Sequence, residues 1–82
     1  MRVIGDIPHP QMKITIFSWN GKYILKFEIG QFEQVFKISE MDVMGLDAVK
    51  QMVDEAFINN VMKRFLEMRE DFVSAFNKIE NN

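Results

Sequence analysis

Apolar and polar residues alternate along the first half of the chain, which is the period-two pattern of a half-buried β-strand. Residues 12–19 and 22–29 are rich in β-branched and aromatic side chains. Between them stands Asn20-Gly21, a dipeptide that tolerates the positive φ angles of a type I′ turn. These features predict a β-hairpin with a two-residue turn.

A third strand is predicted after a second turn. Gly30-Gln31 fits a type II′ turn with glycine first, and residues 32–39 again alternate. The sequence therefore predicts an antiparallel three-stranded β-meander over residues 12–39. It follows an extended lead-in over residues 1–11.

The two-residue turn sets the register of the hairpin, because it places Trp19 opposite Lys22 and pairs the other residues by equal steps. One face of the predicted sheet is mainly apolar and is expected to face the core. It carries Met12, Ile14, Ile16, Ser18, Tyr23, Leu25, Phe27, Ile29, Phe32, Gln34, Phe36 and Ile38. The other face, here called the outer face, is mostly polar with an aromatic patch near the first turn.

The pattern changes after Ser39. Residues 40–46 form a connector, and Asp47 is expected to cap the N-terminus of a helix over residues 47–80. Apolar residues then recur at spacings of three and four, and neither proline nor glycine interrupts them. The fold class is therefore predicted to be α+β, a β-meander followed by a long C-terminal helix.

Two apolar stripes on the predicted helix are out of phase. At about 100° per residue, the stripe of Val49, Val53 and Ala56 lies about 90° from the one that follows. Asn59-Asn60 marks the crossover, where a bend, a break into two helices, or an exposed polar point in one continuous helix would each fit. The second stripe consists of Phe65, Met68, Phe72, Phe76 and Ile79.

A chain of 82 residues with no cysteine has room for one domain and one core, and it has no disulfide or thiol chemistry. The N-terminal segment lacks the apolar run of a signal peptide, and no stretch is long and apolar enough to span a bilayer. We therefore expect a cytoplasmic protein with no membrane contact.

Residues that could carry catalysis or bind a metal are few. His9 is the only histidine and has no partner to orient it. Glu67, Glu70 and Asp71 lie within reach of one another on a helix, but Lys63 and Arg64 are close enough to pair with them. We expect no enzymatic activity, no cofactor and no metal site.

The outer face combines cations with aromatic rings, the chemistry of a platform that binds single-stranded nucleic acid. Residues 12–39 carry a net charge of +2, whereas residues 40–82 carry −4. A curved antiparallel sheet backed by one helix also resembles, in arrangement only, the single-strand-binding modules of the whirly and Pur type, which carry four strands per unit. This hypothesis rests on Lys13, Phe17, Trp19, Lys22, Ile24, Lys26 and Lys37.

The length of the helix favours a different function. A 34-residue helix would run about 50 Å, whereas an eight-residue strand reaches only about 27 Å, so the sheet cannot cover the whole helix. The uncovered apolar residues would then need a partner, and a second copy of the chain is the simplest one. The sequence therefore predicts a non-catalytic interaction module, a homodimer assembled through Phe65, Met68, Phe72, Phe76 and Ile79, with single-strand binding as the alternative.

Overall fold

The computed structural model describes residues 1–80, which form an antiparallel sheet followed by two helices. The strands follow one another in the sheet in chain order. They are β1 (Arg2–Ile7), β2 (Lys13–Trp19), β3 (Lys22–Ile29) and β4 (Phe32–Ser39), and a short 3-10 helix (Glu40–Asp42) leads to α1 (Leu46–Met52) and α2 (Glu55–Glu80). The α+β class and the long C-terminal helix are confirmed.

The predicted hairpin is confirmed together with its register. Asn20 and Gly21 both have positive φ, 50° and 73°, as the type I′ turn requires. Trp19 pairs with Lys22, and the equal steps continue to Lys13 opposite Glu28. Gly30 has a φ of 56°, which fits the first position of a type II′ turn between β3 and β4.

The sheet has four strands, so the prediction of three was one too few. β1 lies within the segment predicted as an extended lead-in and pairs with β2. Its register shifts between Val3 and Gly5, which identifies a β-bulge. The bulge breaks the polar-apolar alternation, and glycine is a poor strand former, so the usual pattern of a strand is missing here.

The helical region is broken at Val53 and Asp54 and continuous at Asn59-Asn60. Val53 ends α1 with φ and ψ of −88° and 70°, and the Asp54 carboxylate accepts a hydrogen bond of 2.8 Å from the Phe57 backbone N–H. Asp54 is thus the N-cap of α2. The expectation that Asp47 caps the helix was wrong, since Gly45 is the N-cap of α1 and Asp47 lies in its first turn.

Both helices pack on the inner face of the sheet. α1 lies over β1, where a side chain at Gly5 would come within 3.6 Å of Leu46. The break separates the two stripes, because Val49 lies in α1 and Val53 at its C-terminal end, and a separate helix can turn its own face to the sheet. Ala56, the third member of the first stripe, lies in α2 and is exposed. The buried core comprises Met12, Ile14, Ile16, Leu25, Phe27, Val49, Val53, Val61 and Phe65.

α2 runs along β4 and continues beyond the end of the sheet. Phe57 packs edge to face against Phe36 near the start of α2, with ring centroids 5.4 Å apart. Phe72 makes a similar contact of 5.7 Å with Phe32, at the β3–β4 turn. A 26-residue helix is about 39 Å long, whereas the strands reach about 27 Å. Residues 73–80 therefore extend past the sheet.

Candidate functional site

An apolar surface lies on the C-terminal half of α2. The side chain of Leu66 is 58% exposed, and that of Ile79 is 72% exposed. Phe72 and Phe76 stack on one another with centroids 6.0 Å apart, and each is nearly half exposed. We call this surface the overhang patch and define it as Leu66, Phe72, Val73, Phe76 and Ile79.

A groove adjoins the overhang patch where α2 passes the β3–β4 turn. Its volume is about 450 Å³, and it lies between Ile29 and Phe32 of the sheet and Met62 and Leu66 of α2. Arg69 is the only charged residue in its lining. The groove is thus an apolar surface with one cation at its rim.

The structure divides the predicted dimer interface between the core and the surface. Phe65 is 4% exposed and belongs to the core, and Met68 packs against that core while partly buried. Phe72 has one side on Phe32, whereas Phe76 and Ile79 extend beyond the sheet. Only the last three of the five predicted residues are therefore accessible to a partner.

Leu66 and Val73 are the exposed apolar residues that the sequence analysis missed. Because each residue of a helix is rotated by about 100° from the one before, these two side chains lie about 100° around α2 from the stripe that faces the sheet. The two residues are seven positions apart, so they lie on one side of α2. The seven-residue spacing is the signal for this second apolar side, which lies outside the stripe that the helical period assigns to the core.

The outer face has an aromatic end near the Asn20-Gly21 turn. Trp19 is 47% exposed, while Ile24 is buried beside it and Phe17 is half-buried. Lys22 and Lys37 come from β3 and β4, directly opposite Trp19 and Ile24 respectively. The predicted platform residues Phe17, Trp19, Lys22, Ile24 and Lys37 are thus brought together at this end.

In the middle of the outer face, the positive charge of Lys26 is neutralised by carboxylates. The ammonium group of Lys26 lies 3.5 Å from Glu28 and 3.4 Å from Glu33, and 6.0 Å from the centre of the Phe17 ring. Thr15, opposite Lys26, is buried, and its hydroxyl has no hydrogen-bond partner among the described residues. Lys26 is thus already paired with two carboxylates, unlike a lysine that is free to meet a phosphate.

The remaining candidate residues have local structural contacts. The Nδ1 atom of His9 accepts a hydrogen bond of 3.1 Å from the Gln11 backbone N–H, which closes the turn after β1. Glu67 pairs with Arg64 at 2.9 Å, on the exposed side of α2. Lys13, at the far end of the outer face, is exposed and opposite Glu28.

Among residues 1–80, no group of three or more histidine and carboxylate side chains is arranged to hold a metal ion. Over the same residues, neither helix combines the length and the apolar character needed to cross a bilayer. Comparison of the chain with protein-family models, with curated proteins and with solved structures gave no match. The overhang patch and the outer face are two surfaces of the described residues that could bind a partner.

Proposed function

We propose that this protein is a self-associating interaction module, a homodimer that is assembled through the overhang patch and has no catalytic activity of its own. The observation that carries the proposal is the position of α2, whose last two turns extend beyond the sheet with apolar residues exposed. A helix that protrudes into water is normally polar on every side that its own domain leaves uncovered. The apolar side chains in this part of α2 support contact with another surface.

The size of the patch fits a small dimer interface. Its five side chains expose on the order of 500 Å² of apolar surface, since an aromatic side chain presents about 150–250 Å² when fully accessible. A stable interface buries about 800 Å² on each partner, including a polar rim. The adjoining groove and the polar sides of α2 supply the remaining area.

The charges around the patch favour a second copy as the partner. A two-fold interface pairs one surface with itself, so a surface of a single sign would repel its copy. Residues 63–80 carry four basic and four acidic side chains, and Arg69 and Glu70 both border the patch. A surface with balanced charges of both signs does not repel its own copy.

A pair of variants tests this proposal. Phe76→Asp introduces a charge into the patch without touching the core, so we expect a folded monomer with an unchanged far-ultraviolet circular dichroism spectrum. Phe65→Asp is the control, because it places a charge in the core and should unfold the chain. A Phe76→Asp protein whose mass in size-exclusion chromatography with light scattering equals that of a dimeric wild type would refute the proposal.

Single-strand binding is supported as a second candidate by one observation. Trp19 is half exposed beside Lys22, with Lys37 one strand further away on β4, and neither lysine has an ion-pair partner within residues 1–80. An exposed ring with free cations nearby can stack on a base while the cations meet its phosphates. Such a site would be confined to the turn end of the outer face, because Lys26 is paired with Glu28 and Glu33.

A further inference from the structure

We propose that the free edge of β4 is a second contact between copies of this chain, in which two β4 strands pair antiparallel with Val35 opposite Val35 of the second copy. This inference goes beyond the overhang patch and concerns a different surface, the edge of the sheet. It is carried by the direction of the backbone hydrogen bonds in β4 and by the charges at equal distances on either side of Val35.

Of the two edge strands of the sheet, β4 is the regular one. β1 has six residues, and its bulge between Val3 and Gly5 twists that edge away from the shape that a further strand needs. β4 pairs with β3 over all of its eight residues without a shift in register. A long, regular edge strand is a template for another strand, so β4 is the edge that a partner can extend.

The β3–β4 turn decides which backbone groups of β4 point outward. In a hairpin with a two-residue turn, the two residues that flank the turn exchange both hydrogen bonds, and here these are Ile29 and Phe32. Hydrogen-bonded pairs then recur at every second residue, and within residues 1–80 no other segment bonds to the groups between them. The backbone groups that point away from β3 therefore belong to Glu33, Val35, Lys37 and Ser39.

The outward groups limit the registers in which two copies of β4 can pair. About a two-fold axis, opposed residues have numbers of constant sum, and residues with outward groups must oppose one another. Centres at Val35 and at Phe36, with sums of 70 and 72, each pair seven residues of β4 with seven of its copy. Every other centre that meets both conditions pairs fewer.

The charges distinguish these two registers. With Val35 at the centre, Glu33 lies opposite Lys37 of the second copy, and the same pair forms again on the other side of the axis. With Phe36 at the centre, Glu33 would lie opposite Ser39 and Lys37 opposite Val35. Opposite charges directly across an antiparallel pair stabilise it, so the charges favour the register centred on Val35.

The side chains along this edge are exposed, as contact with a second copy requires. Val35 is 47% exposed, and Phe36 on the inner face is 39% exposed although Phe57 of α2 packs beside it. The Glu33 carboxylate lies 3.4 Å from Lys26, but half of the Glu33 side chain is exposed, so it can also meet a lysine of the second copy. Pairing would thus cover apolar surface that α2 leaves open.

This contact is smaller than a standard interface, because seven residues on each side fall well below the usual number of about 20–30. A chain with two separate two-fold contacts forms assemblies larger than a dimer. We therefore expect β4 pairing to join dimers at close to millimolar concentration, whereas the overhang patch forms the dimer at low micromolar concentration.

Because the chain has no cysteine, single-cysteine variants can test the register. All of them carry Phe76→Asp, which disrupts the overhang patch, so that β4 pairing is measured alone. Val35→Cys faces its own copy at about 5.5 Å between Cα atoms, a separation that a disulfide allows. Glu33→Cys and Lys37→Cys are the matched controls, since each lies four residues, about 13 Å, along the strand from its own copy. Under mild oxidation at close to millimolar concentration, we expect disulfide-linked dimer from Val35→Cys and little from either control alone.

A mixture of the two controls provides the second measurement. In the proposed register, Glu33→Cys in one copy faces Lys37→Cys in the other, so an equal mixture should cross-link although neither protein does so alone. If Val35→Cys cross-links no better than the controls, or the mixture no better than its components, β4 pairing in this register is refuted. The proposed dimer is tested separately, because every protein in this experiment lacks an intact overhang patch.

Discussion

The side-chain amide of Gln34 donates a hydrogen bond of 2.9 Å to the backbone carbonyl of Val61, joining β4 to the middle of α2. The amide lies on the inner face of the sheet, where the neighbouring side chains are apolar. A carbonyl oxygen has two lone pairs, so that of Val61 can accept this bond in addition to its bond within the helix. Together with the burial of Val61 and Phe65, the contact helps to set the position of α2 along the sheet, and thereby how much of the helix is left beyond it.

Replacing Gln34 with alanine should lower the free energy of unfolding by about 0.5–1.5 kcal/mol, the usual net contribution of a partly buried hydrogen bond. Lys37→Ala, an exposed change in the same strand, serves as the control and should alter it by less than about 0.5 kcal/mol. Urea denaturation measures both values at one protein concentration. Equal effects of the two substitutions would show that the bond does not hold the helix.

Asp54→Ala should destabilise the protein by about 1 kcal/mol, because it removes the carboxylate that accepts from the Phe57 N–H at the start of α2. Asp54→Asn should retain most of that stability, since an amide oxygen can also cap a helix. Asp47→Ala changes a first-turn residue that is not a cap and should cost no more than about 0.5 kcal/mol. A larger loss from Asp47→Ala than from Asp54→Ala would contradict the position of the break.

Trp19→Ala should weaken binding of a short labelled single-stranded oligonucleotide by about 1–3 kcal/mol if the turn end of the outer face binds nucleic acid. Lys22→Ala should in addition reduce the dependence of affinity on salt. Val35→Ala, an exposed apolar change in the same face, should leave the affinity unchanged. Fluorescence anisotropy gives these constants, and a wild type that shows no binding at low salt would eliminate this second candidate.

The sheet was largely predictable where local chemistry decides the conformation. Asn20-Gly21 specifies both a turn type and a register, so one dipeptide placed every residue of β2 opposite its partner in β3. β1 lacks such a signal, because its bulge and Gly5 remove the alternation on which strand prediction depends. It is a strand because β2 offers it an edge to pair with, and that pairing leaves no pattern within the residues of β1 itself.

The position of the helix break followed from the phase of the stripes only in part. The shift between Val53 and Phe65 indicated that two faces were buried, but a phase shift does not say at which residue the chain turns. Asparagine is a weak helix former, which makes Asn59-Asn60 a candidate for the break, whereas the structure begins α2 after Asp54, whose carboxylate caps the helix. The capping preference of aspartate outweighs the weak helix propensity of asparagine.

The sequence predicts that the helix carries apolar residues that the sheet does not cover, but not which residues these are. The comparison of helix and strand lengths correctly indicated that the C-terminal helix extends past the end of the sheet. Which residues remain exposed depends on where α2 crosses β4, and the contacts that set this crossing, such as that of Gln34 with Val61, join residues far apart in the sequence, here 27 positions. Phe65 therefore lies in the core, while Leu66, its neighbour in sequence, lies on the surface.

Self-association is the central claim, and the mass of the unmodified protein in solution tests it most directly. Sedimentation equilibrium at low micromolar concentration should give twice the chain mass of 9.7 kDa, with the fraction of monomer rising on dilution. The same measurement on Phe76→Asp should give the mass of one chain. A wild-type mass of 9.7 kDa across the micromolar range would contradict the account.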